Sequence, residues 1–193
     1  MPRDPLTVGD DGKARCVWAS TPEYVVYHDD EWGHPMRDDR RLFEKLCLEG
    51  FQAGLSWLTI LRRRQGFRAA FAGFEPVIVA GFGESDIERL LQDEGIIRHR
   101  GKIEATIANA RAVLTLDRPL SELIWSFAPP PARPRPATID EVPAVTAEST
   151  ALSTELRRCG FRFVGPTTMY ALMQAAGLVD DHVAGCWRSE ATL

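Results

Sequence analysis

Four side chains that bind soft metal ions lie near the two ends of this sequence, Cys16 and His28 at the start and His182 and Cys186 at the end. Two thiolates and two imidazoles form a ligand set that structural zinc prefers in proteins. The spacing between His182 and Cys186 is one that places both side chains on one face of a helical turn. Since protein side chains would fill all the coordination positions of the metal, the ion would cross-link the two chain ends and would not activate a water. The alternative is four unrelated core residues.

A group of aromatic residues in the first 60 positions accompanies one glutamate, which lies in the otherwise apolar stretch Leu-Cys-Leu-Glu-Gly. The aromatic residues are Trp18, Tyr24, Tyr27, Trp32 and Trp57, and the glutamate is Glu49. Aromatic faces stack on bases, at about 1–3 kcal/mol per base, and they attract cations. Burying a carboxylate without a partner is costly, so Glu49 is a candidate for contacting a positively charged ligand such as an alkylated base. The alternative is that the rings only fill the core.

Residues 84–116 have the pattern of two helices joined by a short basic turn. Gly95 ends the first helix and Gly101 precedes the second, whose free N–H groups and positive dipole end suit a phosphate. The basic residues around this turn are Arg98, Arg100 and Lys102. The pattern is typical of a helix-hairpin-helix element, which grips the DNA backbone without reading its sequence. The alternative is an ordinary helical hairpin with solvated basic residues.

The elements that must position these groups are almost all predicted to be helices. Thr21 and Pro22 begin one that ends near Gly33, and Asp38 or Asp39 caps the next, which ends within residues 49–54. Further helices are predicted over 55–64 with a continuation through 71, 86–94 behind a Ser85 cap, 102–116, 149–158 and 166–178. The proline-rich segment 128–137 cannot be helical, and no alternating pattern predicts a strand. We therefore expect an all-α fold, with one compact helical domain over 14–193 and a flexible tail over 1–13.

The composition is that of an ordinary globular protein, with 193 residues, 45% of them apolar and 26% charged. No apolar run is long enough to cross a membrane, and the polar, acidic N-terminus is unlike a secretory signal. These features predict a cytoplasmic protein, in which cysteines serve packing or metal binding more often than disulfides. We assign Cys47 and Cys159 to packing, and expect a monomer because no large exposed apolar stripe is evident.

The net charge of −4 argues mildly against a nucleic-acid partner, because phosphate contacts need local positive charge. The distribution of charge weakens this objection. Basic runs occur at 62–68, 98–102 and 157–162, whereas acidic residues concentrate at 29–31 and 38–39. Basic runs are often only solvated helix faces, so charge alone leaves a DNA-binding role open.

Taken together, these residues resemble the bacterial 3-methyladenine DNA glycosylase I family, within the helix-hairpin-helix glycosylases. The motifs that carry the resemblance are Arg15-Cys16-x-Trp18, Tyr27-His28-Asp29-x-Glu31-Trp32-Gly33, Leu48-Glu49-Gly50-x-Gln52-Ala53-Gly54-Leu55-Ser56-Trp57, Gly95-Ile96-Ile97-Arg98-His99-Arg100-Gly101-Lys102-Ile103, Phe163-Val164-Gly165 and Asp181-His182-Val183-x-Gly185-Cys186. They run in order through nearly the whole chain, from about residue 15 to 186. Several long, ordered matches are far more specific than any one motif.

The resemblance implies roles for individual residues. Structural zinc is implied at Cys16, His28, His182 and Cys186, and a base pocket or its wall at Trp18, Tyr24, Tyr27, Trp32 and Trp57. Glu49 is implied to contact the methylated adenine, and Gly54 and Leu55 to fill the gap left by the flipped nucleotide. The turn at 95–101 would hold the DNA backbone, with Arg98, Arg100, Gly101 and Lys102 as DNA-binding residues.

The implied activity is hydrolysis of the N-glycosidic bond of 3-methyladenine in double-stranded DNA that contains alkylated bases, a step of base excision repair. The nucleotide must leave the stack first, and a cationic base is already a good leaving group. No lysine is placed as a Schiff-base nucleophile, so we expect a monofunctional enzyme. Phe51 stands where a polar residue is expected, and no aspartate after the hairpin matches the one that many such glycosylases carry.

Two other classes of function remain open from the sequence. A non-catalytic DNA-binding module would use the hairpin alone, and replacement of Glu49 would leave its function unchanged. A zinc-dependent hydrolase would need an open position on the metal, which the four protein ligands leave no room for.

Overall fold

Ten α-helices and two short β-strands make up the computed structural model, which describes residues 4–130 and 134–189. The strands are β1 (Leu6–Val8) and β2 (Ala14–Cys16). The helices are α1 (Pro22–Asp30), α2 (Asp39–Gln52), α3 (Trp57–Arg62), α4 (Arg64–Ala70), α5 (Pro76–Ala80), α6 (Glu84–Gln92), α7 (Arg100–Leu114), α8 (Leu120–Trp125), α9 (Ala147–Arg158) and α10 (Pro166–Ala175). Single 3₁₀ turns lie at Ala72–Phe74, Ile139–Glu141 and Trp187–Ser189.

Side-chain caps begin the helices that carry the candidate site. The Thr21 hydroxyl accepts a hydrogen bond from the Tyr24 amide at the start of α1, and the Asp38 carboxylate caps α2. The Ser56 hydroxyl accepts from the amide of Thr59 at the start of α3. These caps satisfy amides that have no partner within the helix. The first two confirm the predicted helix starts.

The core is organised around α2, whose inner face contacts α3, α7, α8 and α10. Leu42, Phe43, Leu46 and Leu48 on this helix are completely buried. Helices α9 and α10 pack together on one side and α5 packs on α7 on another. Because α2 is held on several sides, Glu49 near its C-terminal end occupies a fixed position in the interior.

The strands correct the expectation of a chain without strands. β1 and β2 pair antiparallel, with Leu6 opposite Cys16 and Val8 opposite Ala14. Each strand has only three residues, so neither shows the longer alternation that predicts a strand from sequence. The hairpin crosses the boundary predicted between residues 13 and 14 and joins part of the supposed tail to the segment that carries Cys16. Residues 1–3 lie outside the described part of the chain.

Several predicted boundaries also need correction. Helix α6 starts at Glu84, where the Asp86 carboxylate accepts from the Gly83 amide, so Ser85 is inside the helix and does not cap it. Helix α10 ends at Ala175 and α7 begins at Arg100. Residues 128–130 and 134–137 are not helical, as predicted, and residues 131–133 lie outside the description. Within the described residues, no helix has the length and apolarity needed to cross a membrane.

Candidate active site and metal cluster

The four predicted metal ligands come together in one buried cluster. One ligand atom from each of Cys16, His28, His182 and Cys186 lies within 4.8 Å of the others. The Cys186 sulfur is 3.4 Å from His28 Nε2 and 3.6 Å from His182 Nδ1, and the Cys16 sulfur is 3.9 Å from the same His182 nitrogen. All four residues are at most 3% exposed. The sequence prediction that these residues meet is therefore confirmed.

The last two ligands are held differently from the prediction. Residues 181–186 form a turn and not a helix, so the helical spacing of His182 and Cys186 does not explain their proximity. Gly185 has φ of +85°, a left-handed conformation that favours glycine. The Cys186 amide donates to the Val183 carbonyl at 3.0 Å and closes the turn.

A carboxylate beyond the cluster fixes the orientation of His28. Asp29 Oδ1 lies 2.8 Å from His28 Nδ1, which leaves the lone pair of Nε2 directed at the cluster. Arg15 and the Trp187 indole N–H in turn donate to Asp29, at 2.7–3.0 Å. Carboxylate support of this kind sets the tautomer of a histidine that binds metal. The donor types, their burial and this support all fit a structural cation.

A cavity of about 320 Å³ lies beside the cluster and brings together the predicted aromatic residues. All five predicted rings, Trp18, Tyr24, Tyr27, Trp32 and Trp57, line it together with Glu49. The Tyr27 and Trp57 ring centroids are 5.5 Å apart, and those of Trp18 and Trp32 are 5.0 Å apart. The Tyr24 hydroxyl accepts from the Leu58 amide at 3.0 Å, which ties α1 to α3. The walls are therefore tied to one another before any ligand enters.

Part of this wall packs directly on the metal-binding residues. The Trp32 ring centroid lies 4.7 Å from that of His182, and the Trp18 centroid lies 5.1 Å from that of His28. A disturbance at the cluster would therefore move two walls of the cavity. These ring contacts therefore couple the geometry of the cluster to that of the cavity.

Glu49 supplies the one charge of the predicted set. Its side chain is 4% exposed, and no hydrogen bond or ion pair engages its carboxylate among residues 4–130 and 134–189. Burial raises the pKa of Glu49 from 4.5 to about 7, although Lys45 nearby opposes this shift. Burial also raises the pKa of Tyr27, and the negative charge of Glu49 adds to that effect. The cavity thus places the Glu49 carboxylate beside a neutral phenol and electron-rich rings, which favours a positively charged, flat ligand.

A buried network of charges lies next to the pocket. Lys45 Nζ is 2.5 Å from Glu31, which also accepts from Arg64 at 2.5 Å. Arg64 and Arg68 both bind Glu44, at 2.7 and 2.9 Å. Burial alone would raise the pKa of Glu31, but Lys45 and Arg64 hold it at about 2. Two arginines of the first basic run are therefore occupied by carboxylates, which corrects the sequence view of that run as a positive surface.

The raised pKa of Glu49 predicts a pH-dependent gain in stability on replacement by glutamine. The charged form is disfavoured in the folded state, so the cost in folding free energy is absent below pH 4.5 and complete above pH 7. Glu49→Gln should therefore raise the free energy of unfolding by up to about 3 kcal/mol at pH 8 and by much less at pH 5. Urea unfolding at both pH values measures this difference.

The exposed Glu122 on α8 provides the matched control, and Glu122→Gln should change stability little at either pH. Equal effects of Glu49→Gln at pH 5 and pH 8 would show that the carboxylate carries no burial cost.

Helices α6 and α7, joined by the turn 93–99, occupy the segment that the sequence predicted to be a DNA-binding hairpin. Arg98 and Arg100 are exposed, and Gly101 lies in the first turn of α7. Arg100 pairs with Glu84 at 2.8 Å and with Glu104 at 3.4 Å, both at the surface. The geometry therefore leaves this turn accessible to a partner.

Lys102 departs from its predicted role as a phosphate contact. Its side chain is buried, and Nζ donates to the carbonyls of Phe51 and Ala53, at 2.8 and 2.6 Å. These are carbonyls at the C-terminal end of α2, where a cation is favourable. The sequence could not show this, because a lysine in a basic turn is ordinarily solvated. Lys102 instead joins the hairpin to the loop of residues 53–56, which holds Gly54 and Leu55.

Three polar residues that line the cavity were not predicted as site residues from the sequence: Gln52, Gln174 and Asp181. Asp181 is 2% exposed and accepts hydrogen bonds from Tyr170 and Gln174, at 2.6 and 2.8 Å. Its place in the motif before His182 is visible in the sequence, but its partners on α10 are not. The cavity is therefore more polar on its α10 side than the sequence indicates.

Relatives and solved structures that match this chain include DNA glycosylases. DNA-3-methyladenine glycosylase 1 of Escherichia coli (strain K12) is 52% identical over 177 residues, which cover 89% of this chain and 95% of that protein. A crystal structure of a 3-methyladenine DNA glycosylase I superposes with a TM-score of 0.87 at 49% identity, covering 90% of this chain and 98% of that one. A structure of the Staphylococcus aureus 3-methyladenine DNA glycosylase I, which describes the structural basis of 3-methyladenine recognition, superposes with a TM-score of 0.83 at 37% identity. The match covers 87% of this chain and 92% of that one.

A family model described as methyladenine glycosylase matches residues 18–189. The chain therefore belongs to the methyladenine glycosylase family. The matched range includes the aromatic cavity, Glu49, the hairpin and three of the four cluster residues, whereas Cys16 lies just before it. The resemblance noted from the sequence is thereby confirmed.

Proposed function

We propose that this chain excises 3-methyladenine from alkylated DNA by hydrolysing the N-glycosidic bond. The observation that carries the proposal is a buried carboxylate, Glu49, in a cavity walled by aromatic rings. The names of the relatives support it, because they are 3-methyladenine DNA glycosylases. The cavity volume of about 320 Å³ suits a single small ligand such as a purine base.

The selectivity of this site follows from the charge of the lesion. A nucleotide methylated at N3 of adenine is a cation, whereas normal adenine is neutral. The rings attract a cation by about 0.5–2 kcal/mol or more when water is excluded, and the Glu49 carboxylate adds a direct charge interaction. Binding of the cation also favours the ionised form of Glu49. The site therefore distinguishes the damaged base by charge as well as by shape.

The reaction needs little acid catalysis. The lesion base takes the electron pair of the glycosidic bond as it leaves and becomes neutral, and the sugar carbon becomes positive. Ionised Glu49 would stabilise the positive charge that develops as the bond breaks. Water then supplies hydroxide to the sugar carbon and a proton to the medium, and an abasic site remains.

The lining of the cavity supports a monofunctional mechanism. No lysine is among the described residues that line it. Lys45 lies nearby, with Nζ 4.6 Å from the Tyr27 ring centroid and 4.8 Å from that of Trp57, but it is buried in an ion pair with Glu31. Because Lys45 does not line the cavity and Glu31 holds its Nζ, no Schiff base with the sugar is expected.

We infer that the loop 53–56 and the hairpin turn contact double-stranded DNA together. Leu55 is 41% exposed although it is apolar, and Gly54 before it has φ of +81°. Side chains of this type fill the gap left by an extruded nucleotide. Arg98, Arg100 and the start of α7 at Gly101 would bind the backbone, in the manner of a helix-hairpin-helix element. We also keep a monomer and a cytoplasmic location as expectations.

Zinc is the metal that we propose for the cluster. Two thiolates and two imidazoles in a closed, buried set match a structural zinc site, in which every position is filled by protein. The ion would supply cross-linking of the N-terminal and C-terminal segments and no catalytic chemistry. A zinc hydrolase would need an open metal position, which this ligand set disfavours.

The buried position of Lys102, in contrast to the exposed Arg98, predicts that substitutions of these two residues affect DNA binding differently. Arg98→Met should lower the slope of log affinity against log salt by about 0.9, because one phosphate contact is lost. Lys102→Met should leave this slope unchanged, while it lowers the free energy of unfolding by about 1–3 kcal/mol through two lost charged hydrogen bonds. Salt titrations of duplex binding, with urea unfolding of each variant, measure both effects. Equal slope changes would place Lys102 on the phosphates.

The proposed activity is tested with duplex DNA that has been methylated with dimethyl sulfate. Chromatography of the released bases should show 3-methyladenine. The DNA strands exposed to the enzyme should break only when alkali is added, because alkali cleaves the abasic sites that a monofunctional enzyme leaves intact. Strand breaks without alkali would contradict the monofunctional mechanism. Release of no free base would favour the alternative of a non-catalytic DNA-binding module.

A further inference from the structure

The wall of the cavity formed by α10 carries a hydrogen-bonded pair that the mechanism above does not use. Gln174 and Asp181 both line the cavity that holds Glu49. Asp181 Oδ2 accepts from Gln174 Nε2 at 2.8 Å and from the Tyr170 hydroxyl at 2.6 Å. Asp181 is 2% exposed and Tyr170 is 1% exposed, so packing holds this arrangement firmly.

This pair fixes which end of the Gln174 amide is turned away from Asp181. Asp181 Oδ2 lies within hydrogen-bond distance of two groups and acts as the acceptor, whereas the two ends of a glutamine amide differ, since the nitrogen donates and the oxygen accepts. Asp181 must therefore hold the nitrogen end. Tyr170 donates to the same carboxylate oxygen and adds to its preference for donors. The amide oxygen is the end left for other partners.

We propose that Gln174 presents its amide oxygen to the bound base and selects purines that carry an exocyclic amine at C6, with Asp181 as the positioning residue. The proposal rests on the proposed function and names its substrate class more narrowly. Adenine carries an amine at C6, which donates, and guanine carries a carbonyl there, which accepts. An oxygen facing that carbonyl would leave two buried acceptors without a donor. The site would therefore favour 3-methyladenine over 3-methylguanine.

Two substitutions test this inference through one ratio, the rate of release of 3-methylguanine divided by that of 3-methyladenine from the same methylated duplex. Asp181→Asn supplies an amide that can donate to Gln174, so the glutamine can turn its nitrogen toward the base. Gln174→Leu removes both ends of the amide. We expect each variant to raise the ratio about tenfold or more, because a buried polar mismatch has an effect of this size.

The matched control is Thr167→Ala, an exposed position on the same helix, which should leave the ratio unchanged. Because Asp181 adjoins His182, metal content and the thermal midpoint are measured for each variant. Gln174→Leu decides the outcome if Asp181→Asn loses its metal. A wild-type ratio in Gln174→Leu, with 3-methyladenine still released, overturns the selection by Gln174 alone. Failure of the wild type to release 3-methyladenine overturns the proposed function as well.

Discussion

Replacing Glu49 with glutamine is expected to slow the single-turnover release of 3-methyladenine by about 100-fold or more at pH 8. The substitution preserves shape and removes the only carboxylate that the cavity places beside its aromatic rings without a hydrogen-bonding partner among the described residues. That charge is needed most as the glycosidic bond breaks, when positive charge develops on the sugar. Rapid mixing of enzyme in excess over methylated duplex, followed by chromatography of the bases, measures the rate.

The pH dependence provides an internal check on this result. Because burial raises the pKa of Glu49 to about 7, the wild-type rate should rise as the pH increases through that region, where the carboxylate ionises. The glutamine variant should show no such rise. A Glu49→Gln rate close to that of the wild type at pH 8, in a folded variant, would remove Glu49 from the mechanism.

The second large effect is expected at the metal cluster. Cys16→Ser should abolish binding of one zinc per chain and lower the free energy of unfolding by about 4 kcal/mol or more, because β2 and the C-terminal turn lose their common anchor. For a domain of this size, that corresponds to a fall in the thermal midpoint of about 8–16 °C. Elemental analysis and thermal unfolding measure the two changes.

Cys47→Ala is the matched control, since Cys47 is also buried but is outside the cluster. It should keep the metal. Base release by Cys16→Ser should also fall, because Trp18 and Trp32 pack on the histidine ligands. A full metal load in Cys16→Ser would exclude Cys16 as a ligand.

The sequence predicted which side chains of the metal cluster and the aromatic cavity come together, because their chemistry is unusual. Few purely structural reasons account for cysteine with histidine at both ends of a chain, or for a glutamate among apolar residues. The structure brings each of these sets together. Most helices were also predictable, because caps and apolar spacing are local signals. Asp38 illustrates this, as its carboxylate caps α2 as expected.

What the sequence did not reveal depends on contacts between distant segments. The sequence predicts Lys102 to be a surface charge. In the structure α7 packs near the end of α2, and Lys102 Nζ donates hydrogen bonds to two backbone carbonyls there. Arg64 and Arg68 belong to a basic run in the sequence, but in the structure they form ion pairs with Glu31 and Glu44. Gly185 turns the chain where a helical spacing was assumed. In each case the partner is far away in sequence, so no local pattern could identify it.

The most direct test compares two ligands of equal shape and different charge. The cation 3,9-dimethyladeninium represents the lesion with a methyl group in place of the sugar, and 3,9-dimethyl-3-deazaadenine is its neutral counterpart. Quenching of tryptophan fluorescence at pH 8 should show that the wild type binds the cation at least about tenfold more tightly, and that Glu49→Gln loses most of this preference. Equal affinities of the wild type for both ligands would contradict recognition of the lesion by its charge.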